Sequence, residues 1–235
     1  VAAERHPADI INTALIELRE KTITRTQYDA ENTVDAPVSV RRVWEYRRAF
    51  LSTLAETLRK HNWSCVSKRV ALTKDETNDP AWGYSNRFPL PDDFMRLIGI
   101  YNGGIATNFT TDEISNVGGE KYRIETLDIA GEKVKSIITG YSAINIRYVY
   151  MPKDANGDFD FANEPDYLDR LDFSLLEAIR KELVRRLSYK VTGSTTYTEL
   201  NYGIARQSLD DAKFEDSHDD GPEDIDSCDL INVRF

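Results

Sequence analysis

The chain has 235 residues, 30 Lys and Arg against 40 Asp and Glu, a formal net charge of −10 and 40% hydrophobic residues. That length gives one large domain or two modest ones, enough to bury roughly 70% of the unfolded surface without disulfides or metal. Two cysteines in dissimilar contexts, Cys65 and Cys228, and no apolar run near the ~20 residues of a membrane helix argue against disulfide-framework, secreted and membrane classes.

In chain order, a first helix is expected over 8–21, where Ile11, Ala14, Leu15 and Leu18 recur at helical spacing. Residues 22–38, rich in Thr, Asp and Asn, read as a loop. A second helix over 40–61 carries the stripe Val43, Trp44, Phe50, Leu51, Leu54, Ala55 and Leu58, with Trp44 expected in the core and His61 at the end. The period then drops from 3.6 to 2. Strands are expected over 66–72, 94–101, 122–127, 134–138 and 144–150, separated by turns at Asn102-Gly103-Gly104, Gly118-Gly119 and Ala130-Gly131. Trp63 and Trp82 flank the first strand as possible anchors. Asp172 can cap a third long helix through Leu175, Ile179, Leu183 and Leu187, stopped near Gly193. A last helix opens at Ser194 or Thr195 and fades near Gly221-Pro222.

Segregated helices and strands make an α+β fold. The expectation is an antiparallel helical bundle from both ends of the chain, residues 1–65 plus 166–235. A mainly antiparallel, sandwich-like β domain over 66–165 is inserted in it.

The acidity is local. Residues 210–229 hold ten acids and one base, Lys213, which reads as a solvated, self-repelling tail or an interaction arm. The cationic patches, Arg41-Arg42 with Arg47-Arg48 and Arg180-Lys181 with Arg185-Arg186, sit on polar helix faces, where they balance acids on neighbouring helices or subunits.

No catalytic constellation stands out. His6, His61 and His218 belong to no metal-spaced cluster, and there is no GxSxG elbow and no phosphate-cradling glycine loop. Two stretches resemble calcium loops, 154–160 and 216–220. The first misplaces its glycine and has Pro165 where a bidentate Glu should close; the second has Ser227 there. Neither reads as a dedicated cation site. The chain is read as a non-enzyme without cofactor.

Several segments resemble one family. These are Trp63-Ser64-Cys65-Val66-Ser67-Lys68-Arg69 after a long helix, Trp82 through Leu97 with its Leu90-Pro91-Asp92-Asp93, and Ile146-Arg147-Tyr148-Val149-Tyr150. The helix closing at Gly193 and a following helix with Ala205 and Ala212 complete the order. Over about residues 40–225 this is similar to tail tubular protein A, the head-to-tail adaptor or gatekeeper of short-tailed bacteriophages.

The resemblance implies a structural virion protein, a dodecameric ring joining portal to tail nozzle. Such a ring retains the packaged genome and forms part of the double-stranded DNA ejection channel. It places the chain in the virion tail, and in the host cytoplasm during assembly, with no membrane partner. Portal binding is expected of Asp219, Asp220, Glu223 and Asp224 with the apolar anchor Leu230, Ile231, Val233 and Phe235. Nozzle or subunit contacts are expected in two long polar loops bearing Asn108 and Phe109, and Asp154, Asn156 and Asp158. The alternative is a monomeric binding module whose acidic tail captures a basic protein.

Overall fold

Proline stands at the first turn of helix α1, Pro7–Glu17, where a missing N–H breaks no helical bond, and His6 Nδ1 accepts the Ala8 N–H at 3.1 Å. The computed structural model describes residues 5–30, 38–78, 80, 82–102, 122–129, 132–154, 159–161 and 164–219. Ile11, Ala14 and Leu15 of α1 are fully buried. The helix stops short of the expected 21. Arg19 takes the left-handed φ of 57° while Glu20 N–H reaches back to the Leu15 carbonyl at 2.8 Å. This closure is usually made on glycine, so no stop signal marked it.

The expected loop of 22–38 contains a short helix, α2, Arg25–Asp29. Its start is a reciprocal capping box. Gln27 N–H donates to Thr24 Oγ1 at 3.2 Å, and Thr24 N–H donates to Gln27 Oε1 at 2.8 Å. Asn12 clamps the preceding backbone through both directions of its amide, to Ile23 N–H and C=O at 2.8 Å each.

Helix α3, Val38–Arg59, buries Val43, Tyr46, Phe50, Leu54 and Leu58, and His61 lies beyond its end. Trp44 is not core. It sits half-buried on the flank, its Nε1–H donating to the Ala30 carbonyl at 3.1 Å, and Tyr46 takes the inward position. Of the two expected anchors, Trp63 is 1% exposed and Trp82 is 77% exposed.

Helix α4, Phe173–Thr192, buries Leu175, Ala178, Ile179, Leu183, Val184 and Leu187. It ends on Gly193, whose φ of 67° suits glycine, and Gly193 N–H donates to Tyr189 C=O at 2.8 Å. Helix α5, Thr195–Asp219, runs past the start of the acidic stretch. Helices α1 and α5 both pack on α4, so helices from the two ends of the chain meet. Among the described residues no helix is long and apolar enough to cross a membrane.

Among the described residues, the chain between α3 and α4 in sequence forms two three-stranded antiparallel sheets. One has the order β1-β6-β3, from Ser67–Leu72, Ile144–Tyr150 and Phe94–Asn102. The other has the order β2-β5-β4, from Asn86–Pro89, Glu132–Thr139 and Arg123–Ile129. Strand β2 was not legible in the sequence, because four residues with Asn86, Arg87 and Phe88 all buried show no alternation. The chain divides into two compact units: Val1–Leu54 with Trp63–Cys65 and Leu168–Phe235, and Ala55–Asn62 with Val66–Tyr167.

Arg87 is 1% exposed within the second unit. Its Nε donates to Ser136 Oγ at 3.0 Å and its Nη1 lies 3.3 Å from Asp75 Oδ2. Hydrogen bonds from the hydroxyl and N–H of Thr77, and then from Asn78, hold the Asp75 carboxyl down at about 2. Asp75→Ala leaves a buried guanidinium without its carboxylate, which should destabilise by about 3–5 kcal/mol in chemical denaturation at pH 7. Because the folded value lies below the ordinary 3.8, the ionised carboxylate's contribution is full above 3.8 and is lost as pH falls toward 2. The gap between wild type and variant should therefore narrow in acid; a constant gap would contradict the assignment.

Candidate functional site

Three segments of the second unit converge on one ammonium group. Lys68, on β1, donates to Asp93 Oδ2 at 2.9 Å and to Glu164 Oε1 at 3.0 Å, with Nζ 3.7 Å from the centre of the Tyr150 ring. Tyr148, paired with Lys68 across the β1–β6 ladder, donates its hydroxyl to Asp93 Oδ1 at 2.9 Å. Asp93 C=O accepts the Met151 N–H at 3.0 Å, and Tyr167 donates its hydroxyl to the Tyr150 carbonyl at 2.8 Å. Lys68, Asp93, Tyr148 and Tyr150 are letters of the motifs quoted above. The sequence did not bring them together, and Glu164 carried no signal.

The electrostatics of this cluster are those of a structural pin. Burial pulls the Lys68 ammonium down, but its hydrogen bonds to Asp93 and Glu164 outweigh that and hold its pKa above the ordinary value. Burial, and then the bond to Asp93, push the Tyr148 hydroxyl up. A base or nucleophile working near neutral pH needs the opposite shifts.

In the first unit, Asp216 of α5 is 4% exposed. Its Oδ1 accepts the Ser64 N–H at 2.9 Å and the Ser64 hydroxyl at 2.7 Å. Burial, with the nearby carboxylates of Asp172 and Asp216 adding to it, pushes the adjacent Cys65 thiol up to about 12, so it stays protonated. An open cleft of about 290 Å³ is lined by Arg5, Asp9, Arg25, Phe173, Glu177 and Arg180. Its guanidinium groups bind Asp9, Glu177 and the backbone carbonyls of Leu168 and Leu171.

The helix cations were expected to balance acids on neighbouring helices or subunits, but several meet carboxylates of their own helix. Arg185 and Arg186 hold Glu182 at 2.6 and 3.1 Å, and Lys181 holds Glu17 at 3.0 Å. Arg42 reaches Glu20 at 3.4 Å, and Lys190 pairs with Glu45. Arg47 stands over the rings of Tyr28 and Trp44 at 5.1 and 5.3 Å.

Of the residues expected to contact partners, Asp219 is the last of α5. Asp154 lies next to the bridge between Lys153 and Phe159 and is half-buried. Asn108, Phe109, Asn156, Asp158, Asp220, Glu223, Asp224, Leu230, Ile231, Val233 and Phe235 lie outside the described residues. The acidic stretch is corrected in its first half. Residues 210–219 continue the expected last helix as far as Asp219, but they are not wholly solvated, since Ala212 and Asp216 are buried. That burial also removes Asp216 from the calcium-like stretch. Among the described residues no three His, Cys, Asp or Glu side chains are grouped to hold a metal ion.

No family model matches the chain. A valine–tRNA ligase of Ruegeria pomeroyi (strain ATCC 700808 / DSM 15171 / DSS-3) is 24% identical over 157 residues, 63% of this chain. The chain covers 15% of that ligase's length.

Lys68→Met removes the donor shared by two carboxylates and should destabilise by about 1–3 kcal/mol at pH 7. Since the folded Lys68 value is raised, its contribution is full below the ordinary 10.5 and is lost as pH rises through the folded value. Denaturation at neutral and strongly alkaline pH checks this. The gap between wild type and variant should close in alkali.

Proposed function

We propose that the chain is an adaptor subunit of a short-tailed phage, set between portal and tail nozzle, and that it works by assembly and not by catalysis. Helix α5 carries the reading. Leu200, Tyr202, Ile204 and Phe214 are all exposed on a helix that otherwise packs on the bundle. A helix that hides small side chains and presents large apolar ones is built to be covered by another protein. Helices from both ends of the chain, with antiparallel sheets inserted between them, are also what the resemblance implies.

In this reading the portal receives the acidic segment following α5, and the nozzle or a neighbouring subunit meets the loops around Asn108–Phe109 and 154–158. Acidic rim contacts speed association and set register, and they weaken with salt. A channel wall that is neutral to negative lets double-stranded DNA slide, because binding needs many Lys and Arg contacts to phosphate. The similarity to a tRNA ligase is not carried over, since it spans so little of that enzyme.

Two experiments test this. Electron microscopy of labelled phage particles should place the chain at the portal vertex; a label elsewhere overturns the adaptor role. Truncation must spare Ala212 and Asp216, so residues 220–235 are the ones to remove. The truncated chain should melt as wild type does but lose docking to isolated portal rings, and undiminished docking would reduce the segment to a solubilising end.

A further inference from the structure

Helix α5 is inside out. Its buried positions are Asn201, Ala205, Ala212 and Asp216, while Leu200 is 61% exposed, Ile204 39% and Phe214 66%. Leu200, Ile204, Gln207, Asp211, Phe214 and His218 are all exposed and follow one another at alternating steps of four and three. That 3.5-residue period is the seam along which one helix lies on another. The Phe214 and His218 rings meet edge-on, 4.5 Å between centres. Glu199, Asp210, Asp211 and Glu215 make this side acidic, offset by Arg206 and by Lys213, whose Nζ lies 3.4 Å from Asp210 Oδ1.

Helix α3 of the same unit presents the opposite charge at the same period. Val38, Arg41, Glu45, Arg48 and Ser52 are exposed at steps of three, four, three and four. Val38 is 70% exposed, and Glu45 is engaged by Lys190. Arg41 and Arg48 set the sign of this face, with Arg42 beside them.

We propose that the outward seam of α5 lies along the outward seam of α3 in a second copy of this chain, an inference that rests on the adaptor reading. Arginine stems cover apolar neighbours while their heads reach carboxylates, and a guanidinium stacks well on a ring such as Phe214. Helix α5 against its own copy would instead set Asp210, Asp211 and Glu215 against themselves. The two seams are different surfaces, so the contact is heterologous and propagates head to tail, closing into a ring or running on as a filament.

The test uses the full chain in sedimentation velocity, at low and high salt. One variant carries Ile204→Asp with Phe214→Ser; another carries Arg41→Glu with Arg48→Glu. All four positions are outward, and thermal melts check that both variants fold. Wild type should self-associate, more strongly at low salt, and each variant should weaken association at least about tenfold. Mixed in equal amounts, the two variants should form a dimer that does not extend, since one supplies an intact α5 and the other an intact α3. A monomeric wild type, either variant associating normally, or a mixture that stays monomeric overturns the proposal. So does an α3 variant that associates normally but no longer shifts duplex DNA, which would make the arginine face a DNA surface. A label at the portal vertex together with monomeric wild type would sink this interface and leave the adaptor reading standing.

Discussion

Burial of α4 on more than one side is the constraint around which the first unit is built. Leu175, Ala178, Ile179, Leu183, Val184 and Leu187 wrap too much of the helix for one neighbour to cover. Fully burying a Leu, Ile or Val side chain contributes about 1.5–3 kcal/mol, whereas an exposed ion pair contributes about 0–1 kcal/mol. Helix α1 covers part of α4 from the beginning of the chain and α5 covers part from the end. The strands must therefore leave and return between them. Ion pairs such as Lys181–Glu17 then fix which turn of one helix faces which turn of the other.

How much of this the sequence discloses follows from length and period. Helices α3 and α4 and strand β6 each repeat a pattern often enough to be read, and the change of period at both borders gives the α+β class. Helix α2 and strand β2 are five and four residues long, too short to establish a period. What specifies them is local: a Thr24–Gln27 capping box, and a buried Arg87 that no alternation rule expects. Trp44 misleads because a tryptophan near an apolar stripe looks like core, yet it stands one position to the side of Val43 and takes a backbone partner at Ala30. The cluster around Lys68 was legible only as separate letters. Asp93 and Glu164 lie 25 and 96 residues from it, and the pairing of β6 with both β1 and β3, with the segment that follows β6, brings them together.

The acidic stretch shows composition and packing in competition. Ten carboxylates in twenty residues argue for a solvated segment. Packing wins over the first half because Ala212 is small enough to be buried and because the Asp216 carboxylate is taken by Ser64, not by solvent. The charge argument ignores the face on which each acid falls. Asp210, Asp211 and Glu215 are outward and cost the helix little; Asp216 is inward and has donors waiting.

That division also leaves the outward face of α5 uncovered without weakening its own unit. Ala205 and Ala212 let the helix axis approach α4 closely, Ser188 hydroxyl donates to Thr198 Oγ1 at 3.0 Å, and Arg185 stands 5.8 Å from the Tyr202 ring centre. Position is thus set by small side chains and directional bonds. The large apolar residues are released from holding the fold, so changing them alters what the surface binds before it alters whether the chain folds. A helix stabilised the ordinary way, with Leu and Phe inward, would offer solvent only its polar side. Here the sequence reverses the arrangement, and the free energy that outward Leu200, Ile204 and Phe214 fail to contribute within one copy remains to be gained when a second surface covers them.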